Sequence, residues 1–225
     1  MRDSRQVLPG LGSGIYTYHE AARLLQAHTN QVRRWAQGYV YVLNGEAHEK
    51  AAVLQREKAG EGLLTFFDLI ELLFVRELRK AGVKMQIIRD AARLLSGEFD
   101  TPYPFAYEPL YTDGRQILQQ AGGQYANVVS KQQVFRFVEE LFKNIDFINH
   151  LARVWYPLGR DRLIVVDPHR SFGAPIDVRT GVRTDVIYMT YKAEQDVEAV
   201  ADWYEVDEPT IRAAIELEER WQKAA

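Results

Sequence analysis

YTYHEAARLLQAHTNQVRRWAQGY, residues 16–39, decides how this chain is read. It reads as helix, tight turn, helix. Thr17 is a suitable N-cap, and Ala21, Ala22, Leu24 and Leu25 supply the apolar face of a short first helix. Gln26, Ala27 and His28 form the turn. Thr29 is the expected N-cap of a second helix, with Val32 and Trp35 facing inward. Asn30, Gln31, Arg33 and Arg34 then point outward. From Arg23 to Gln37 there are three arginines and no acid. Amides and guanidiniums are the groups that read base edges and clamp phosphates. A DNA-reading helix-turn-helix is one account of this stretch, and a solvated helical hairpin is the plainer one.

Downstream, Tyr39–Leu43 alternates toward Asn44-Gly45, a strong two-residue hairpin signal. The long polar run Gly45–Ala52 moves the expected returning strand to Val53–Gln55. A hairpin here stands where a wing would follow a recognition helix. Lys50, Arg56 and Lys58 are placed to touch phosphates, or simply to decorate a surface loop. The DNA-contact candidates are therefore Thr29, Asn30, Gln31, Arg33, Arg34 and Lys50.

Residues 63–95, LLTFFDLIELLFVRELRKAGVKMQIIRDAARLL, predict two more helices. Thr65 and Asp68 form a capping box with Asp in place of Glu or Gln. Phe66, Phe67, Leu69, Ile70, Leu72, Leu73, Val75 and Leu78 make the first helix apolar nearly all round, hence a core helix. Ala81-Gly82 ends it, and the second runs from about Lys84 to Leu95. The order of these elements resembles the MerR-like winged helix-turn-helix. In that family a "TF-D-L-EL-FVR-LR-AGV" type motif packs a helix pair behind the DNA-reading pair and its wing. The turn Gln26-Ala27-His28 stands where that family more often has glycine.

The middle of the chain carries no chemistry. Three prolines in residues 100–109 predict a surface linker. Tyr107–Thr112 and Arg115–Gln120 flank Asp113-Gly114 as a second hairpin, with a third strand at Tyr125–Val129. Ser130 and Gln133 cap a helix over about 131–145. Phe147, Ile148, Leu151 and Trp155 extend the apolar supply.

The last third begins with the buried-strand run Leu163–Val166, then short extended pieces punctuated by Gly173, Pro175 and Gly181. Two helices follow at roughly 196–204 and 208–221, joined by Glu205–Asp207. Asp167-Pro168, Gly173-Ala174-Pro175-Ile176, Arg183-Thr184 and Tyr204 match the pattern of the DUF433 module, a small helix-turn-helix-like unit, and the stretch resembles it. Between Glu194 and Glu219 there are ten acids and one basic residue, Arg212. Such a face repels a duplex. It is either a solvated acidic surface or a protein-docking module. Arg179, Arg183, Trp203 and Tyr204 are the partner-contact candidates, because interface hot spots favour Trp, Tyr and Arg. Core packing for the two aromatics, and an Arg183–Asp185 pair, are the plainer alternatives.

A winged helix-turn-helix followed by such a module resembles the VapB-type antitoxins. That resemblance implies a repressor of its own operon, bound to operator DNA, that neutralises a PIN-domain ribonuclease toxin. It is also what implies that an arginine reaches the toxin's carboxylate cluster. Two other readings stay open: a MerR-like ligand-responsive regulator with a C-terminal sensing module, and a scaffold without a DNA role.

Composition narrows the field. The 225 residues carry a formal charge of −3, so nucleic-acid contact must be local, and cysteine is absent. Thiol chemistry, disulfides and zinc-finger ligands are thereby excluded. The five histidines, His19, His28, His48, His150 and His169, show no metal-ligand spacing. Gly10–Gly14 lacks the strand and lysine of a phosphate loop. No enzyme, no cofactor and no membrane span are expected, and the polar start, unlike a signal peptide, suggests the cytoplasm. The expected fold is mainly α with small β hairpins (α+β), divided as a tail at 1–15, the DNA unit at 16–100, a linker region at 101–158 and the DUF433-like unit at 159–225. A helix-turn-helix reads few base pairs, so a homodimer is expected, formed through the Phe- and Leu-rich helices of 63–95 or 131–151.

Overall fold

The computed structural model describes residues 14–55, 62–112 and 139–222. The architecture is α+β, mostly helical with small antiparallel sheets. Strand β1 (Tyr16–Thr17) leads straight into α1 (Tyr18–Leu24), where Thr17 and Glu20 close a reciprocal capping box. Gln26 adopts a positive φ of 48° in the turn. Helix α2 (Thr29–Gln37) follows, with Val32, Trp35 and Ala36 buried. Its N-cap is His28, one residue earlier than expected, so Thr29 is the first helical residue and makes no cap bond.

The hairpin is tighter than expected. Strands β2 (Tyr39–Leu43) and β3 (Glu46–Lys50) pair directly around Asn44-Gly45, in register from Leu43–Glu46 to Tyr39–Lys50. The polar run is itself the returning strand. Val53–Gln55 is not a strand; Val53 instead donates its N–H to the Trp35 carbonyl (2.8 Å) and is buried beneath α2. Arg56 and Lys58 lie outside the described residues.

Strand β4 (Leu63–Leu64) pairs with β1 and leads into α3 (Phe66–Lys80), capped by Thr65 and Asp68 as expected. Ten of the residues of α3 are buried inside the chain's own core. This helix therefore has little surface left for a dimer. Helix α4 (Met85–Phe99) runs past the expected Leu95 to a left-handed C-cap at Asp100.

The proline-rich stretch is not a surface linker. A 3₁₀ turn at Pro104–Ala106 is buried, and Phe105 stacks parallel on Phe74 at 5.8 Å. The Phe105 and Ala106 N–H groups donate to a carboxylate oxygen of Glu71 (2.5 and 2.8 Å), which offsets the backbone desolvation that a buried loop otherwise suffers. Pro109–Thr112 is a short helix, α5, rather than the first arm of a hairpin. The remaining expectations for 113–138 lie outside the described residues. Residues 139–143 are helical, but the chain turns at Asn144 and Ile145 already begins a strand.

A four-stranded antiparallel sheet then forms in sequence order: β5 (Ile145–Ile148), β6 (Leu151–Trp155), β7 (Ile164–Val166) and β8 (Pro175–Asp177). Three helices close the chain: α6 (Thr184–Glu194), α7 (Val197–Tyr204) and α8 (Glu208–Gln222). A small core of Ile187, Val200, Val206 and Ile211 holds these together. The main core continues from Tyr16 and Leu25 through α3 to Ile164, Leu217 and Trp221, so the first and last helices share one apolar interior.

Candidate nucleic-acid interface

Helix α2 is fixed from behind by side chains far away in sequence. Arg76 of α3 donates to the Leu25 carbonyl (2.7 Å) at the end of α1, and Glu77 pairs with it at 2.5 Å. Burial lowers the pKa of this guanidinium, and the Glu77 charge opposes that. Arg89 of α4 donates to the Ala51 carbonyl (2.6 Å) at the base of the hairpin. Gly38 connects α2 to β2 at φ +75°, and a Cβ there would lie 2.3 Å from the Lys50 carbonyl oxygen. The angle between α2 and the hairpin is therefore set by a residue without a side chain. Arg76 and Arg89 escaped the sequence reading because their acceptors lie 51 and 38 residues away.

The outward face of α2 is as expected. Asn30, Gln31, Arg33 and Arg34 are exposed, and Thr29 is half-buried at the first turn. Arg33 lies over the Tyr18 ring at 5.6 Å and Arg34 over Tyr39 at 5.1 Å. No carboxylate among the described residues pairs with either. A cation–π contact of this kind holds a guanidinium near the ring without neutralising its charge. An open hollow of about 380 Å³ lies at the N-terminus of α2, lined by His19, Arg23, His28, Thr29 and Asn30. Helix N-termini of this kind favour phosphate. Lys50 is half-buried on β3 opposite Tyr39, beside the end of α2.

Arg23 behaves differently from its two neighbours. It is ion-paired to Glu218 of α8 and lies over the Trp221 ring at 5.3 Å. Glu218 is 2 % exposed, and its other oxygen accepts from Thr184 (2.6 Å). Burial raises its pKa, against the opposing pull of Thr184 and Arg23.

The partner-contact candidates divide into two places. Arg183 forks onto Asp185 (3.0 and 2.5 Å) and lines a cleft of about 170 Å³ with Glu20, Arg23 and Phe172. Arg179 reaches Asp207 (3.2 Å) at the α7–α8 turn, on a loop whose backbone Asp177 holds through the N–H groups of Arg179 and Thr180. Tyr204 bonds Thr190 at 2.7 Å, whereas Trp203 is 64 % exposed. Trp203 is thus not a core residue. Among the described residues no group of His, Asp and Glu is arranged to hold a metal, and no helix is long and apolar enough to cross a membrane.

Residues 14–92 match the family described as "Putative DNA-binding HTH domain". Across 90 % of this chain and 92 % of its own length, a Mycobacterium tuberculosis protein described as "Putative antitoxin VapB45" is 29 % identical. The crystal structure of Rv2018 from Mycobacterium tuberculosis superposes with a TM-score of 0.70 at 26 % identity, over 89 % of this chain and 96 % of that one. A helix-turn-helix on an α+β scaffold is thus the class that the fold and the matched family together define.

Proposed function

We propose that this chain is a DNA-binding antitoxin. It acts as a cytoplasmic homodimer that represses its own operon and neutralises a PIN-domain ribonuclease by direct contact, with no catalysis of its own. The observation that carries the DNA half is the pair Arg33 and Arg34, held on aromatic rings and uncompensated, beside the exposed amides of Asn30 and Gln31. In this reading residues 16–100 are a MerR-like winged unit, with Thr29 and Lys50 completing the DNA contact. Residues 159–225 are a DUF433-like unit that meets the toxin through Arg179, Arg183, Trp203 and Tyr204, joined to the first by a middle region, 101–158, whose described residues pack into the core. The likeness to the mycobacterial relative supports the antitoxin half.

The ligand-responsive alternative has weaker support. The cleft between α1 and α6 is about 170 Å³, and its Arg23, Arg183 and Glu218 are already paired. Small-molecule sites are commonly about 300–1,000 Å³. Co-purification with the product of the adjacent gene, followed by anisotropy titration of the upstream duplex at two salt concentrations, tests both halves. A folded protein with no salt-dependent affinity for that duplex sinks the DNA half. Failure to retain the adjacent product sinks the toxin half.

A further inference from the structure

Strand β2 has the sequence Tyr39-Val40-Tyr41-Val42-Leu43, with no charge, no proline and no bulge against β3. Among the described residues the β2–β3 ribbon has no third strand. Natural edge strands are usually protected by charge, proline or a bulge, and an unprotected one templates further pairing. An isolated two-stranded ribbon is also marginal in water. Val40, Val42 and Leu43 are 66, 70 and 53 % exposed.

The register says which groups are free. In a two-residue hairpin the pair flanking the turn is the hydrogen-bonded one. Leu43, Tyr41 and Tyr39 therefore bond across to Glu46, His48 and Lys50, and the backbone of Val40 and Val42 faces outward. On the opposite side of the ribbon Lys50 and Ala51 border α4 at its base, while Glu46, Ala47 and Glu49 are exposed, so that edge carries the protecting charge of two glutamates.

Charge argues against a duplex as the occupant of this edge. The ribbon's charged residues are Glu46, Glu49 and Lys50, all on β3, so it is net acidic while β2 is neutral. Two copies of β2 meet without like charges. We infer that β2 pairs antiparallel with β2 of a second copy, forming a four-stranded sheet across a two-fold axis at Tyr41. In this register Val40 faces the partner's Val42 as a hydrogen-bonded pair, and Tyr39 faces the partner's Leu43. Both strands then use every outward N–H and C=O. Because β2 follows α2 directly through Gly38, the two α2 helices enter the sheet from opposite ends. That is the symmetry a two-fold operator requires. The inference specifies the interface of the homodimer proposed above and does not depend on DNA binding.

The chain has no cysteine, so single-cysteine variants report cleanly. Two Tyr41 residues on the axis form a non-hydrogen-bonded pair with Cα atoms about 4.5 Å apart, within the roughly 4.4–6.8 Å that a disulfide spans. Tyr41→Cys should oxidise to a covalent dimer, whereas Leu43→Cys, distant from its own mate, should not. Val42→Lys should weaken the dimer on the order of tenfold or more by light scattering. Val40→Pro removes only an outward N–H and should act likewise. Circular dichroism checks that each variant is folded. A wild-type monomer at tens of micromolar overturns both the dimer and its interface. A dimer that survives both substitutions, without cross-linking through Tyr41→Cys, overturns only the interface. If those variants stay dimeric yet lose the adjacent gene product, the edge belongs to that partner and the inference fails.

Discussion

Arg23 of α1 and Glu218 of α8 form an ion pair across 195 residues of chain, with Trp221 beneath the guanidinium. The first helix of the helix-turn-helix is thereby clasped to the last helix. Arg23→Ala leaves an almost fully buried carboxylate whose hydrogen-bond partner is Thr184, with Arg183 the remaining cation near it. A loss of about 1–3 kcal/mol is expected, because an uncompensated buried charge costs more than the pair gains. Glu218→Gln, which keeps an acceptor for Thr184, should cost less. Urea unfolding of both variants checks the order, and equal losses would contradict it.

Glu71 supplies a pH dependence of opposite sign to the common one. Its folded-state pKa is raised well above the usual 4.5, first by burial, with the nearby Asp68 charge adding to it and the Ala106 and Phe105 N–H groups opposing. The folded form holds the proton more tightly than the unfolded form. Its contribution is therefore complete below about pH 4.5 and is lost as pH rises toward the folded value. Glu71→Gln should flatten this slope while still accepting from Phe105 and Ala106. Glu71→Ala should cost about 2–4 kcal/mol, from two unpaired N–H groups and a cavity. Urea midpoints from pH 4 to pH 8 that run parallel in wild type and Glu71→Gln would refute the assignment.

Arg33→Ala and Arg34→Ala should each weaken operator binding by about 1–3 kcal/mol and reduce its salt dependence. Neither should move the melting temperature, since both side chains are exposed. A folded double variant with wild-type affinity would remove α2 from the interface.

Gly38→Ala tests the hinge between α2 and the hairpin. The backbone there sits at φ 75°, ψ −172°, and the added carbon meets the Lys50 carbonyl oxygen and backbone atoms of Ala51 and Ala52. Loss of at least about 1–3 kcal/mol is expected, with a larger fractional loss of DNA affinity than stability alone explains. Unchanged melting and binding would show that the junction relaxes freely.

Trp203→Ala should leave stability within about 0.5 kcal/mol, as its ring is 64 % exposed, and still reduce toxin binding by 2 kcal/mol or about that. Calorimetric titration with the product of the adjacent gene checks it. Point substitutions suit this test better than truncation, because Leu217 and Trp221 complete the core around α1. An unaltered affinity would place the toxin elsewhere.

Much of the helix-turn-helix and its candidate contact face was legible in sequence because its signals are local. The Thr17–Glu20 and Thr65–Asp68 boxes act across three residues, and α2 separates Val32 and Trp35 from Asn30, Gln31, Arg33 and Arg34 within a few turns. The returning strand β3 was missed for a physical reason. Its face is exposed or half-exposed throughout, so no apolar alternation marks it. The β5–β6 hairpin was hidden similarly: a register shift at Asp146/Phe147 breaks the alternation, and its turn uses Asn149-His150, both at positive φ, instead of a glycine.

By itself the sequence determined α1 to α4, α7 and α8, the capping boxes of α1 and α3, and the charge segregation between a basic α2 and acidic α7 and α8, since each follows from neighbours along the chain; α6 and the α2 cap it did not. Only the tertiary structure decided that the proline-rich stretch is buried, that Glu71 caps it, and that Arg23 pairs with Glu218 of α8. Those outcomes depend on partners 34 to 195 residues apart, brought together by a core whose apolar contacts carry no address in local periodicity.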